Sequence, residues 1–261
     1  MSKIDLSDFE SGEKYAGDYS KDLKAIQERL AHIHFRHIIH GVRSIIVFEG
    51  WDASGKGGAI SRMKSEWDPR YFQVHPIGAP TKEEKDRHFL WRFWKRLPGS
   101  REIAVFDRSW YGRVLVERVE ELATQAEWKR GFDEINEFEA QQIDSGTGIV
   151  KIFLHITQEE QDRRFADRLD NPFKRWKLSA EDFRNRAKRD EYLAAYQDMF
   201  TYTDTRWAPW KVIDGNNKKA SRMAALTHIA DALDARLPAE LPDADPALIE
   251  LAAATFGYTA K

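Results

Sequence analysis

Ser44-Ile-Ile-Val-Phe-Glu49 runs directly into Gly50-Trp-Asp-Ala-Ser-Gly-Lys-Gly-Gly58, and this join decides the fold. The first six residues hold a short apolar run of β-branched and aromatic side chains, which reads as a buried strand. The glycine-rich turn follows at once, and a helix is expected near 56–67. Glycines let successive backbone N–H groups point into one concavity, the opening helix presents its positive end, and a lysine can reach a terminal phosphate. Gly50, Ala53, Ser54, Gly55, Lys56, Gly57 and Gly58 are therefore the candidate phosphate-binding residues. A glycine-rich turn carrying a surface lysine is the plainer alternative, and the strand–loop–helix context favours the phosphate loop.

Working outward, strands are expected near 72–77, 102–106, 149–156 and 210–213. Helices are expected near 22–37, 81–96, 112–122, 127–144, 158–169, 180–200 and 218–236. Such alternation calls for a parallel sheet covered on both faces. Residues 1–18 read as a loosely held arm, about 163–189 as a lid segment, and 238–261 as a surface extension, all within one domain spanning 1–261.

Position 57 is glycine where most such loops place a metal-binding hydroxyl. A metal bound here needs hard oxygen ligands from elsewhere. Asp52 inside the loop is a candidate, since a carboxylate beside phosphate invites a cation between them; hydrogen bonding to loop amides is the alternative. Glu102-Ile-Ala-Val-Phe-Asp107 is a second short strand ending in an acid, and carboxyl ends of neighbouring parallel strands face one crevice. Asp107 would then stand beside the loop, in the Walker B position, although an aspartate there can also serve as a helix cap. Arg108, Arg113 and Arg118 follow as candidate phosphate contacts and Glu117 as a candidate catalytic acid, with an i,i+4 ion pair as the alternative for Arg113 and Glu117.

The net charge is −2, yet Arg163–Arg189 holds 10 Lys/Arg against 4 Asp/Glu. A local polyanion site fits this better than general adhesion to nucleic acid. Arg168, Lys174, Arg175 and Lys177 are the candidate cations of a proline-interrupted lid that would cover a transferring phosphoryl group; stacking on single-stranded nucleic acid and a solvated helical face are the competing readings. With 42% hydrophobic residues the chain can build a core, and with no cysteine it has neither disulfides nor thiolate metal sites. No apolar run is long enough to cross a bilayer and the first residues lack a secretory pattern, so a cytoplasmic protein without membrane or nucleic-acid partners is expected. Trp91 and Trp94 read as core or subunit-interface groups, and the eight histidines show no metal spacing.

Taken together, EGWDASGKGGAI, HPIGAPTKEEKDRHFLWRFWKRLP, FDRSWYGRVLVERV, IFLHITQEEQDRRF, PFKRWKLSAEDFRNR and WAPWKVID resemble polyphosphate kinase family 2, from about residue 20 to 236. The Gly-Trp-Asp loop and the Asp-Arg-Ser-Trp-Tyr-Gly-Arg block look most like its polyphosphate:AMP phosphotransferase class, whose members are often tandem, whereas this chain has one such domain. The resemblance implies a thymidylate-kinase-like α/β/α sandwich with a central parallel five-stranded sheet and a helical lid. It also implies phosphoryl exchange between inorganic polyphosphate and adenine or guanine nucleotides, Mg2+ (with Mn2+ as a substitute), and a homodimer or homotetramer. Position by position it implies Asp52, Lys56, Asp107 and Arg108, supported by Arg113, Glu117, Lys174, Arg175 and Lys177.

Overall fold

The computed structural model describes residues 4–259. Strand β1 (Arg43–Gly50) lies at the centre of a five-stranded sheet, between β3 (Ile103–Asp107) and β4 (Thr147–His155). Strands β2 (Phe72–Pro76) and β5 (Trp210–Asp214) close the two edges, in the order β2-β3-β1-β4-β5 with every pairing parallel. All five strands fall where the residue pattern puts them.

Alternation along the strands sorts two cores. Ile45 and Val47 of β1, with Phe106 and Phe153, face Phe138 of helix α6 (Gln125–Asp144) and Tyr196, Met199 and Phe200 of α9 (Arg189–Thr203). Ile46 and Phe48, with Val105, Ile152 and Leu154, face α1 (Tyr19–Ile39), α2 (Lys56–Met63) and α10 (Lys218–Asp234) through Leu30, Ile33, Met63, Leu226 and Ile229. A strand buried on both faces is apolar on both, which is why Ile45–Phe48 of β1 reads as an unbroken run. The result is the expected three-layer sandwich.

The remaining helices are α3 (Lys82–Lys85), α4 (Trp91–Trp94), α5 (Val116–Val119), α7 (Gln158–Asp170), α8 (Ala180–Ala187) and α11 (Pro246–Phe256). The helix expected over 81–96 is two single turns, α3 and α4. Phe89, Leu90 and Phe93 are buried between and within them, and packing three large side chains from one short segment overrides helical propensity. Trp94 stays half exposed, edge-on to Phe138 at 5.0 Å. The helix expected over 112–122 is likewise a 3-10 turn, Trp110–Arg113, followed by α5. Trp110 Nε1 and Tyr111 Oη are both tied to Glu139, at 3.0 and 2.7 Å, and Lys151 donates to Glu139, Tyr111 Oη and the Thr203 carbonyl at 2.8–2.9 Å. This fully buried network pins the two aromatic residues under the sheet before a regular helix can begin. The helix expected over 180–200 breaks at Lys188 into α8 and α9.

The N-terminal segment is not the loose arm expected. Within its described part, Leu6 is buried in the core, and Ser11 and Gly12 donate to Asp214 at 3.0 and 2.7 Å. At the other end, α11 contributes no buried residue.

Candidate active site

β1 ends at a glycine because nothing else fits: Gly50 has φ 131°, and a Cβ there would meet the Leu154 carbonyl oxygen at 2.3 Å. The loop then turns through Ala53 (φ 62°) and Gly55 (φ 115°) into α2. The amides of Lys56 and Gly57 fall in the first helical turn, where no intrahelical carbonyl reaches them, so they face the loop's concavity. Ser54 Oγ is buried there without a hydrogen-bond partner among the described residues, as an anion's oxygen would require.

Lys56 is buried, its ammonium donating to the Gly50 and Trp51 carbonyls at 2.8 and 3.0 Å. Burial pulls its pKa down, opposed by Asp107 and Asp52, which both lie close enough to act on it. The parallel register explains that convergence: Phe48 pairs with Asp107, so β3 ends one strand away from the loop. A Cβ on Gly57 would come within 3.9 Å of Asp107 Oδ2. The carboxylate thus reaches the place where other loops of this type carry a hydroxyl.

The two aspartates differ in what they hold. Asp52 Oδ1 accepts from Arg108 at 2.6 Å and Oδ2 from Asn185 at 2.8 Å. Burial opposes its ionisation, but Arg108, Lys56 and these bonds outweigh it and keep the carboxyl below its usual range. Asp107 accepts no side-chain hydrogen bond from the described residues. Of the two expected metal-binding aspartates, Asp52 thus anchors Arg108 and α8 to the loop, while Asp107 keeps both carboxylate oxygens free of side-chain donors among the described residues. No cluster of three His, Asp or Glu able to hold a metal exists among the described residues. An ion of the magnesium type takes one or two carboxylates and draws its remaining ligands from water and phosphate, and Asp107 offers one such carboxylate beside the loop.

Arg108 adopts φ 64°, an uncommon conformation for a residue with a side chain, while its amide donates to the Phe48 carbonyl at 3.0 Å. Beside it Ser109 Oγ donates to Glu49 at 2.8 Å. Burial raises the Glu49 pKa, with Ser109, Lys56 and Arg108 opposing.

The other candidates separate. Arg113 and Glu117 pair with each other at 3.2 Å, Arg113 lying 4.6 Å from the Phe89 ring, and neither bonds to the loop or to Asp107 among the described residues. Arg118 donates to Asp198 of α9 at 2.8 Å and lies 4.1 Å from the Trp128 ring. In the segment expected as a lid, Arg168 donates to the Lys177 carbonyl at 3.3 Å and Arg175 to the Leu169 carbonyl at 2.5 Å, both bracing the turn. The Lys174 ammonium meets no partner among the described residues, and Lys177 lies 5.1 Å from the Trp176 ring. Phe173 and Trp176 are 88% and 77% exposed.

Residue-type reasoning missed several groups that build the loop. Arg164, 2% exposed, donates to the carbonyls of Ala53, Ser54 and Gly215 at 2.5–2.9 Å and pairs with Glu160 at 2.5 Å. Gln161 donates to the Asp52 carbonyl at 3.1 Å, and Arg189 lies 4.0 Å over the Trp51 ring. Asn185, which fixes Asp52, carried one faint signal: it is an uncharged polar residue within a run of cations.

The family model for polyphosphate kinase 2 matches residues 13–240. This chain belongs to the polyphosphate kinase 2 family. A polyphosphate:AMP phosphotransferase of Pseudomonas aeruginosa is 45% identical over 217 residues, covering 83% of this chain and 44% of that protein. The ADP-polyphosphate phosphotransferase 3 of Rhizobium meliloti is 40% identical over 228 residues, 87% of this chain and 80% of that one. The crystal structure of polyphosphate kinase 2 from Arthrobacter aurescens superposes with TM-score 0.86 at 36% identity, covering 96% of this chain and 91% of its own. The chain spans about half the length of the polyphosphate:AMP phosphotransferases it matches. Among the described residues, no helix is long and apolar enough to cross a membrane.

Proposed function

We propose that the protein transfers a terminal phosphoryl group between inorganic polyphosphate and a nucleoside mono- or diphosphate, AMP to ADP or ADP to ATP, reversibly. The observation that carries this is the buried Lys56 ammonium, tethered to the Gly50 and Trp51 carbonyls of an amide-lined loop, with the Asp107 carboxylate facing Gly57 of the same loop. The names of its family relatives supply the donor, which geometry alone does not. One phosphoanhydride P–O bond of the donor breaks as an acceptor phosphate oxygen forms the new P–O bond, leaving the polyphosphate one unit shorter.

The loop amides and Ser54 hold the donor's end. Lys56 swings from its two carbonyls to the transferring group, Arg108 offers charge from the far side of Asp52, and the lid cations Lys174, Arg175 and Lys177 shield the site from water. Asp107 would hold Mg2+, for which Mn2+ can substitute, and the ion would neutralise charge on the bridging phosphate oxygens. No covalent enzyme intermediate is needed. We assign the enzyme to the cytoplasm as a homodimer or homotetramer, with the half-exposed Trp94 face as a contact.

The test supplies AMP, ADP or GDP with Mg2+ and polyphosphate but no ATP. New nucleoside di- or triphosphate is the expected result. Turnover only with ATP as donor would replace this reading by an ordinary nucleoside monophosphate kinase.

A further inference from the structure

Trp51, inside the phosphate loop, is held by a residue from outside it. Its indole Nε1 donates to His155 Nδ1 at 2.9 Å, and the other imidazole nitrogen, Nε2, meets Glu10 Oε1 at 2.9 Å. An indole N–H can only donate, so Nδ1 is the acceptor and Nε2 carries the proton. His155 is fully buried at the last position of β4, and the groups facing it are Trp51, Glu10, Arg189 and Asp214. The Trp51 ring is further clamped by Arg189 at 4.0 Å and by Tyr196 edge-on at 4.8 Å. Its carbonyl accepts from Lys56 Nζ at 3.0 Å and from the Ser54 amide at 3.1 Å. Indole orientation and lysine placement are thus fixed through one residue.

We infer that His155 is a positioning residue for phosphoryl transfer, a neutral imidazole that sets the phosphate loop through the Trp51 indole and is locked in its tautomer by Glu10 of the N-terminal segment. It touches neither substrate nor reacting atoms. Protonation at Nδ1 would oppose two N–H groups, so only the neutral form performs this task. The inference rests on the loop's role in holding the polyphosphate end.

The two nitrogens can be tested separately. His155→Asn places an amide oxygen near Nδ1 and retains the acceptor for Trp51; His155→Gln reaches the Nε2 position and retains only the link to Glu10. Steady-state kinetics should show KM for polyphosphate nearly unchanged in His155→Asn and raised about 10-fold or more in His155→Gln, the usual effect of losing a group that orients a site residue. KM for the nucleotide should move in neither. Trp51→Phe should reproduce the His155→Gln defect, and the double variant should be no worse than the poorer single one. Glu10→Ala, an exposed change that leaves the core intact, should give a smaller rise in the same KM.

Equal behaviour of the Asn and Gln variants, or additive losses in the double variant, would overturn the inference, as would a fall in thermal stability with all Michaelis constants preserved. Calorimetric titration with tripolyphosphate separates this from the underlying reading. Wild-type protein that binds tripolyphosphate, with His155→Gln binding equally well, removes the positioning role alone. Wild-type protein that neither binds nor turns over removes both.

Discussion

The basic stretch Arg163–Arg189 contains two populations of cation that sequence treats alike. Arg164 and Arg189 are buried against the phosphate loop, and Arg186 and Lys188 are paired with Asp162 and Glu120 at 2.7 and 3.3 Å. Lys174, Arg175 and Lys177 stand on an exposed turn with Phe173 and Trp176 beside them. The first population is architecture: its charge is consumed by carbonyls and carboxylates. In the second, Arg175 spends only its Nε on the Leu169 carbonyl, and its Nη groups and the Lys174 ammonium meet no partner among the described residues. A count of positive residues overstates the lid and conceals the scaffold, because what decides a cation's role is whether its donors are already satisfied.

Replacing one member of each population sharpens the contrast. Arg164→Ala leaves Glu160 without its nearest buried partner and three loop-side carbonyls without a donor, so it should cost about 3–5 kcal/mol, read as a large fall in Tm with activity lost. Retained stability with only a weaker donor affinity would move Arg164 into the exposed class and break the division.

Burial also sets the charge state of groups outside this stretch. His37, buried on α1 with its Nε2 3.0 Å from Ser44 Oγ, has its pKa lowered to about 4, chiefly by desolvation. The folded state therefore resists a proton that the unfolded chain accepts at about 6.5. Its stabilising share is fully present above that pH and shrinks as pH falls through the window between the two values, the loss reaching about 2 kcal/mol by pH 5. His37→Gln should accordingly show a shallower loss of Tm between pH 7.5 and 5 than the wild type; parallel curves would show that burial does not govern this group. The smallest stability effect belongs to the exposed population. Lys174→Ala with Arg175→Ala should change stability by no more than about 0.5 kcal/mol while raising KM for polyphosphate and flattening its salt dependence. An unchanged salt slope would leave the lid without its electrostatic role.

Much of this was readable in advance, and the reasons are physical. The sheet was legible because β1, β3 and β4 are apolar on both faces, which only buried parallel strands tolerate. Lys56 and Asp107 were legible because loop chemistry and strand-end geometry each dictate a residue type at a fixed offset. Asp52 was found but its partners were not: Arg108 and Asn185 lie 56 and 133 residues away along the chain, a juxtaposition no local pattern encodes. The helix expected over 112–122 failed for the same reason. Trp110 and Tyr111, just before it, answer to Glu139 and Lys151 on other elements, and those buried hydrogen bonds override local propensity. The N-terminal segment, polar by composition, is held by Asp214 and His155 from the far end of the sheet.

The central claim is that Asp107, facing Gly57 and without a side-chain partner among the described residues, supplies the carboxylate for the proposed phosphoryl transfer. The direct measurement is the rate of nucleotide phosphorylation from polyphosphate by Asp107→Asn across a Mg2+ series, with Tm followed in parallel. A loss of at least about 10²-fold, a raised Mg2+ requirement and an unchanged Tm are expected. Wild-type turnover at ordinary Mg2+ by the folded variant would contradict it.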